Sequence, residues 1–129
     1  KIKTIFKNKI KNKKILILGM SYKENVGDLR SSPSIYFSNK CIKKKIKLFW
    51  HDPFVKILPN KNLIKINIVK NISNFDLVLF AVKHNVYRNI NFDKKLIKKT
   101  IIFDANYVLT EKQLNQIKKN KINFYSIGR

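Results

Sequence analysis

Five short apolar runs, each too short to form a helix of ordinary length, constrain the fold of this chain most strongly. They lie at residues 15–18, 46–50, 77–82, 101–103 and 122–127. The gaps between them are long enough for crossover connections, and strands that alternate with helices indicate parallel βαβ units. We therefore predict an α/β, Rossmann-like three-layer fold around a five-stranded, mainly parallel sheet of order 3-2-1-4-5.

Helical patterns fill most of the gaps between the runs. One covers residues 33–44 and another runs from a Thr110 cap through Asn120, with Glu111 in its first turn. A short helix is predicted around Leu96 and Ile97. The alternating residues 64–68 allow a short edge strand, which the pattern alone does not assign.

The loop that follows the first run, residues 19–33, is where the sequence predicts a binding site. In open α/β sheets ligands bind beyond the carboxyl ends of the strands, at the switch point that this strand order places beside the first strand. Ser32 and Pro33 suit the start of a helix, whose N-terminus attracts anions. Lys23 and Arg30 add two positive charges to the loop. These features predict a site for a phosphorylated small molecule.

Several motifs in the same order along the chain resemble a known enzyme family. They are Tyr22-Lys23, Asp28-Leu29-Arg30, Ser32-Pro33, His51-Asp52-Pro53, Phe75–Val82, Ile101–Asn106 and Tyr125–Arg129. Together they resemble the C-terminal, UDP-binding domain of the UDP-glucose/GDP-mannose dehydrogenase family over residues 14–129. Residues 1–13 are then expected to be a linker or the tail of a preceding helix.

The resemblance implies a part of an NAD-dependent nucleotide-sugar 6-dehydrogenase of polysaccharide biosynthesis. Such enzymes oxidise the C6 alcohol of a UDP-sugar to a carboxylate, and their catalytic cysteine and their main NAD site lie in other domains. It therefore implies that this chain alone is inactive and lacks catalytic residues. The expected partners are the nucleotide sugar, the N-terminal and central domains of the same protein and, for the full enzyme, a second copy in a homodimer.

The resemblance also assigns roles to individual residues. Tyr22 and Lys23 are expected to contact the nucleotide sugar, with the lysine directed at the diphosphate; the alternatives are a cap on the core and an ordinary surface lysine. Arg30 is expected to face NAD, or to form an ion pair with Asp28 that orders the loop. Many family members have an arginine where this chain has Asn106, so the amide there favours an N-acetylated hexosamine slightly over glucose.

Other polar residues border the predicted site. Ser21 lies in the loop, and His84 follows the third run, where it is either a site-bordering residue or a surface or capping residue. Cys41 falls in the middle of a helix and is interpreted as a buried structural thiol. Asp52 ends the second run, where a Rossmann acid would bind a ribose, but no Gly-x-Gly-x-x-Gly follows the first run. This argues against a primary NAD site in this chain.

Composition bounds the other function classes. The formal net charge of +22 leaves a free-standing basic nucleotide- or nucleic-acid-binding module as the alternative function. Lysine, asparagine and isoleucine dominate, and they share A/T-rich codons, so base composition is a sufficient cause of this charge. One cysteine and two separated histidines form no metal-binding motif, and no apolar run reaches the ~18 residues of a membrane span. A cytoplasmic location is expected.

Overall fold

A computed structural model describes residues 9–66, 72–93 and 99–127, together with residues 4, 6 and 7. Its strands are β1 (Lys14–Leu18), β2 (Lys47–His51), β3 (Ile64–Lys65), β4 (Leu77–Phe80), β5 (Ile101–Asp104) and β6 (Phe124–Ser126). Its α-helices are α1 (Pro33–Lys43) and α2 (Glu111–Lys119), and two 3₁₀ helices cover Ile72–Asn74 and Asn85–Asn89.

The six strands form one parallel sheet of order β3-β2-β1-β4-β5-β6. The chain moves outward from β1 to β3 and then returns to the other side of β1, which creates a switch point between β1 and β4. The predicted α/β class and the switch point beside the first strand are confirmed.

The strand count and the place of one strand differ from the prediction. The five apolar runs alone lie in the order 2-1-3-4-5, because the run that forms β4 pairs with β1 and not with β2. The outer place beside β2 belongs to the two-residue strand β3, which lies within the alternating segment of residues 64–68. A two-residue strand contributes too little apolar pattern to be counted from the sequence, although with it the order begins 3-2-1-4 as predicted.

Both faces of the sheet are buried, which makes the three layers. Ile15 and Ile17 of β1 belong to the cluster that includes Cys41 of α1, while Leu16 and Leu18 belong to the cluster that includes Ile117 of α2. Strands that are buried on both sides give the continuous apolar runs typical of a central parallel strand. Ile10 is also buried in the first cluster, so the packed unit begins before residue 14.

Both helix predictions are confirmed at their N-terminal caps. The Ser32 side chain accepts a hydrogen bond from the backbone of Ile35, and Thr110 forms a capping box with Gln113. The helix predicted around residues 96 and 97 lies outside the described residues, as do residues 67–68 of the edge segment and the last two residues of the C-terminal motif.

Candidate functional site

The loop between β1 and α1 starts at a position that only glycine can occupy. Gly19 has φ +104°, and a Cβ there would lie 2.5 Å from the Val82 side chain. Two hydroxyl groups at the start of α1 hold the backbone that follows β1. Ser32 Oγ donates to the Met20 carbonyl at 2.6 Å, and Ser34 Oγ donates to the Gly19 carbonyl at 2.8 Å. The first residues of the loop and the N-terminus of α1 therefore form one unit.

A buried polar cluster beneath this loop joins the carboxyl ends of three strands. Asp52, directly after β2, accepts hydrogen bonds at Oδ2 from the backbone of Met20 at 2.8 Å and of Ser21 at 3.0 Å. The same oxygen lies 2.9 Å from Nε2 of His84, which follows β4. Oδ1 accepts from the backbone of Phe54 at 2.8 Å. These four contacts of the carboxylate are all internal, so Asp52 organises the loop and does not present itself to a ribose.

The hydrogen bonds determine which ring nitrogen of His84 carries the proton. The Asn25 backbone N–H, which can only donate, lies 2.9 Å from Nδ1. Nδ1 must therefore accept, and the proton of the neutral ring sits on Nε2, from which it is donated to Asp52 and, at 3.2 Å, toward Ser21 Oγ. The Ser21 hydroxyl itself donates to the Lys23 carbonyl at 3.0 Å.

This cluster contains the residue types of a hydrolytic triad without its geometry. In a triad the acid binds one ring nitrogen and the serine binds the other, which acts as a base. Here Asp52 and Ser21 share Nε2, which is protonated, and Ser21 and His84 are fully buried. The cluster is therefore a structural anchor for the loop, and His84 is neither a surface residue nor a simple cap.

Two electrostatic effects act on the Asp52 carboxyl. Burial raises its pKa, but the hydrogen bonds from His84 and from the backbone of Phe54 and Met20 outweigh burial and leave the pKa below its ordinary value. Asp52 is consequently ionised at neutral pH although it is 3% exposed.

A second buried pair lies beside this anchor. The Tyr87 hydroxyl donates to the His51 carbonyl at 2.8 Å and lies 3.0 Å from His51 Nδ1. Burial raises the pKa of Tyr87 and lowers the pKa of His51, the latter in spite of the neighbouring Asp52 carboxylate. Both side chains are therefore neutral at pH 7. Nothing in the sequence pattern signalled this pair, because its members are 36 residues apart.

A groove of about 620 Å³ opens at the switch point, on the face of the sheet that carries α1. The loop and α1 supply one wall, and the carboxyl ends of β4 and β5 with Ile127 supply the other. The described residues that line it are Ser21, Tyr22, Pro33, Ser34, Phe37, Leu79, Ala81, Val82, Phe103, Ala105, Asn106 and Ile127. None of these side chains is charged. The groove thus suits the uncharged part of a ligand, with any charged part at its rim.

Of the residues predicted for the site, Ser21, Tyr22 and Asn106 line the groove. Tyr22 is 55% exposed, and its backbone N–H donates to the Asp28 carbonyl at 2.6 Å, which closes the loop between them. Lys23 is exposed on the same loop but is not among the lining residues.

Asp28 and Arg30 form an exposed ion pair outside the groove. The guanidinium donates from Nε to Oδ1 at 3.1 Å and from Nη2 to Oδ2 at 2.9 Å, while the Arg30 side chain remains 90% exposed. The Arg30 side chain and backbone, with a smaller contribution from Lys23, lower the pKa of Asp28 to about 2. An ion pair with Asp28 was one of the two roles predicted for Arg30, the other being a contact with NAD. The pair leaves further N–H donors of the Arg30 guanidinium exposed.

The loop after β5 is organised by Asp104, which sequence reasoning did not select. Its carboxylate accepts from the backbone of Asn106 at 3.2 Å, of Val108 at 2.9 Å and of Leu109 at 3.0 Å. Asn106 is held at the groove by this turn, and its side-chain amide lies 3.5 Å from the Ala81 carbonyl. An acid at the end of an apolar run and before a polar turn is the sequence signal that could have identified Asp104.

Cys41 lies inside α1, 3% exposed, and burial raises the pKa of its thiol to about 12. A thiol in this state is a poor nucleophile at neutral pH. The described residues contain no group of three metal-ligating side chains. In the same part of the chain no helix is long and apolar enough to cross a membrane.

Comparison with known proteins identifies the family of this chain. Residues 16–111 match the model of the UDP-glucose/GDP-mannose dehydrogenase family, UDP binding domain. Because that match covers well over half of the chain, the protein belongs to this family.

Individual relatives point the same way. The chain is 28% identical over 136 aligned residues to the UDP-glucose 6-dehydrogenase of Rickettsia conorii, covering 99% of this chain and 31% of that protein. It is 25% identical over 103 aligned residues to the NDP-N-acetyl-D-galactosaminuronic acid dehydrogenase of Ralstonia solanacearum, covering 78% of this chain and 24% of that protein. The chain therefore spans less than a third of the length of these relatives.

A solved structure confirms the fold. The crystal structure of the NDP-N-acetyl-D-galactosaminuronic acid dehydrogenase from Methanosarcina mazei Go1 superimposes with a TM-score of 0.79 at 21% identity. The superposition covers 98% of this chain and 27% of that chain.

Proposed function

We propose that this chain is the nucleotide-sugar-binding domain of an NAD-dependent UDP-sugar 6-dehydrogenase, with residues 14–129 as the domain and residues 1–13 as a linker or helix tail. The family match and the dehydrogenase relatives support this assignment. Because Ile10 packs in the core, this linker or helix tail contacts the domain.

The observation that carries the proposal is the uncharged groove beside a loop that bears Lys23. In this proposal the groove takes the uncharged part of the nucleotide against Tyr22, while Lys23 and the N-terminus of α1 attract the diphosphate. The loop of residues 19–32 has two basic residues, Lys23 and Arg30, and two acidic ones, Glu24 and Asp28. Since Arg30 is paired with Asp28, Lys23 is the cation best placed to act on a phosphate.

NAD binding is assigned mainly to another domain. The oxygens of Asp52 are engaged internally, so the residue at the usual ribose position does not fit a dinucleotide. Arg30 does fit a contact with NAD that is bound by another domain, because its exposed guanidinium keeps donors beyond those used for Asp28. When bound, NAD would accept the hydrides in the oxidation of the sugar C6 alcohol to a carboxylate. Arg30 would orient the cofactor, and Tyr22 and Lys23 would hold the substrate.

The chemistry itself requires residues outside this chain. Cys41, the single cysteine, is buried in the core and is not placed to attack a substrate. We therefore assign the chain alone no dehydrogenase activity. The full enzyme is proposed to add an N-terminal dinucleotide-binding domain and a central region, to form a homodimer and to work in the cytoplasm in polysaccharide biosynthesis.

The relatives leave two substrate types, UDP-glucose and UDP-N-acetylhexosamine. Asn106, at the groove, offers an amide without charge. An amide can donate a hydrogen bond to an acetamido carbonyl, so this residue favours the N-acetylated sugar slightly.

Calorimetric titration of the 129-residue chain tests the proposal. UDP-glucose and UDP-N-acetylglucosamine are titrated into wild type, Lys23→Ala and Lys118→Ala at two salt concentrations. Lys118 is an exposed lysine on α2, which packs on the opposite face of the sheet from the groove. We expect Lys23→Ala to weaken binding about tenfold, as for a lost charge-assisted hydrogen bond, and Lys118→Ala to leave it unchanged.

Other results would contradict the proposal. Equal weakening by both variants would mean that the overall charge, and not the loop, attracts the ligand. Failure to bind either nucleotide sugar, together with tight binding of a mixed-sequence oligonucleotide that weakens steeply with salt, would favour the basic nucleic-acid-binding module.

A further inference from the structure

We infer that His84 is a positioning residue for nucleotide-sugar binding: its neutral, Nε2-protonated ring holds the loop that carries Tyr22 and Lys23. This inference rests on the proposed function, since it explains how the binding loop is kept in shape. It assigns His84 no contact with the ligand, because the side chain is fully buried.

The contacts of the ring bridge two otherwise separate parts of the loop. Nδ1 accepts from the backbone of Asn25 at 2.9 Å, and Nε2 donates to Asp52, which in turn holds Met20 and Ser21. The residues between these two attachments are Tyr22, Lys23 and Glu24. The binding residues therefore lie on a short span that is held by Asp52 at one end and by the imidazole of His84 at the other.

A second contact strengthens this span from the other side. The Asn25 side-chain oxygen accepts from the backbone of Asn85, the residue after His84, at 3.3 Å. Asn25 itself has φ +59°, a backbone conformation that L residues adopt at a cost and that surrounding contacts must hold. Without the Nδ1 acceptor, the Asn25 N–H would lose its partner and this turn would lose a main support.

Three titratable groups face the ring of His84. They are Asp52, directly after β2, His51, the last residue of β2, and Tyr87 from the 3₁₀ helix that covers Asn85–Asn89. His51 and Tyr87 are neutral at pH 7, so the Asp52 carboxylate is the charged group among the three.

Two amide substitutions test the two ring nitrogens of His84 separately. In His84→Asn the amide oxygen can occupy the position of Nδ1 and accept from Asn25, while the donor to Asp52 is lost. In His84→Gln the amide nitrogen can occupy the position of Nε2 and donate to Asp52, while the acceptor for Asn25 is lost. His84→Asn loses the contacts of Nε2 with Asp52 and Ser21, and His84→Gln loses the contact of Nδ1 with Asn25, so general destabilisation is expected to be at least as large in His84→Asn.

The experiment measures UDP-glucose affinity, Asn25 amide hydrogen exchange and thermal unfolding for wild type and both variants of the 129-residue chain. We expect His84→Gln to weaken binding about tenfold and to accelerate Asn25 exchange, and His84→Asn to keep both within about twofold of wild type. Equal loss of affinity in the two variants would overturn the inference, since it would reduce His84 to a general stabiliser.

A measurement on the wild type keeps the inference testable even if a variant does not fold. Nitrogen-15 NMR of the imidazole should show a protonated Nε2 and an accepting Nδ1 at pH 7. A ring protonated at Nδ1 at neutral pH would overturn the inference. If the NMR result is as expected but UDP-glucose does not bind, the proposed function fails while the loop anchor stands.

Discussion

Two buried aspartates, each at the carboxyl end of a strand, organise the two sides of the groove in different ways. Asp104 accepts hydrogen bonds from residues two to five positions further along its own chain segment. Asp52 accepts from Phe54, two residues further along, but also from Met20 and Ser21, which lie 32 and 31 residues away, and from His84. One acid folds its own loop, and the other ties a distant loop to the sheet. The difference shows that an aspartate at the end of a strand can stabilise either its own loop or a segment that is distant in sequence.

Removal of the Asp52 carboxylate should have the largest effect on stability. Asp52→Ala would leave the N–H groups of Met20, Ser21 and Phe54 and the ring of His84 without their acceptor inside the protein. We expect a loss of about 3–5 kcal/mol in the free energy of unfolding, because several buried donors would each lose a hydrogen bond to a charged acceptor, at about 1–3 kcal/mol apiece. Urea unfolding followed by circular dichroism measures it. A loss below about 1 kcal/mol would show that water replaces the carboxylate.

Asp104→Asn should have a smaller and more local effect. The asparagine side chain keeps one acceptor oxygen, but its NH2 group would face backbone N–H groups that also donate. We therefore expect the free energy of unfolding to fall by about 2–3 kcal/mol. Hydrogen exchange should accelerate in residues 105–109 and remain unchanged in residues 20–25. Acceleration in both segments would contradict the distinction between a local and a tertiary acid.

Acidification should destabilise the region around Asp52. Asp52 and His51 both have pKa values lowered in the folded state, so each contributes stability that is present above its unfolded pKa. That stability is lost as pH falls, first below about 6.5 for His51 and then below about 3.9 for Asp52, the ordinary values of these groups. Unfolding at a series of pH values should show this decline, and Asp52→Asn should flatten its lower part. A wild-type stability that is constant from pH 7 to pH 3 would contradict it.

The smallest effect is expected at the exposed acid of the loop. Asp28 is paired with Arg30 in full contact with solvent, where ion pairs contribute little to stability. Asp28→Asn should leave the unfolding midpoint unchanged while it frees the Arg30 guanidinium. In the matched variant Arg30→Gln the midpoint should also be unchanged. A marked fall of the midpoint in either variant would show that the exposed pair supports the fold as the buried acids do.

The local elements of the chain were predictable from sequence because their signals are local. Ser32 and Thr110 lie at the caps where capping patterns place them, and the apolar runs became the five longer strands. The two-residue strand β3 could not be counted in advance, since it presents only Ile64 and Lys65 to the pattern. The strand β3 occupies the outer place beside β2 that was predicted for the third apolar run, and that run, β4, pairs with β1.

The candidate site was predictable in its location but not in its supports. The loop after β1 and Asn106 were selected from sequence, and Ser21, Tyr22 and Asn106 do line the groove. The roles of Asp52 and His84 were not predictable, since a strand-end acid and a lone histidine each have several common uses. Their roles depend on contacts across 32 and 59 residues of sequence.

The sequence by itself determined the alternation of strands and helices, the helix caps and the family, because apolar period, capping residues and motif order are properties of neighbouring positions. The tertiary structure decided which strand ends meet at the switch point. That meeting turned Asp52 inward as an anchor, gave His84 a defined tautomer and left the groove without a charged side chain among its described residues. Buried polar groups take the partners that the sheet order brings to them, and the sheet order is a property of the whole fold.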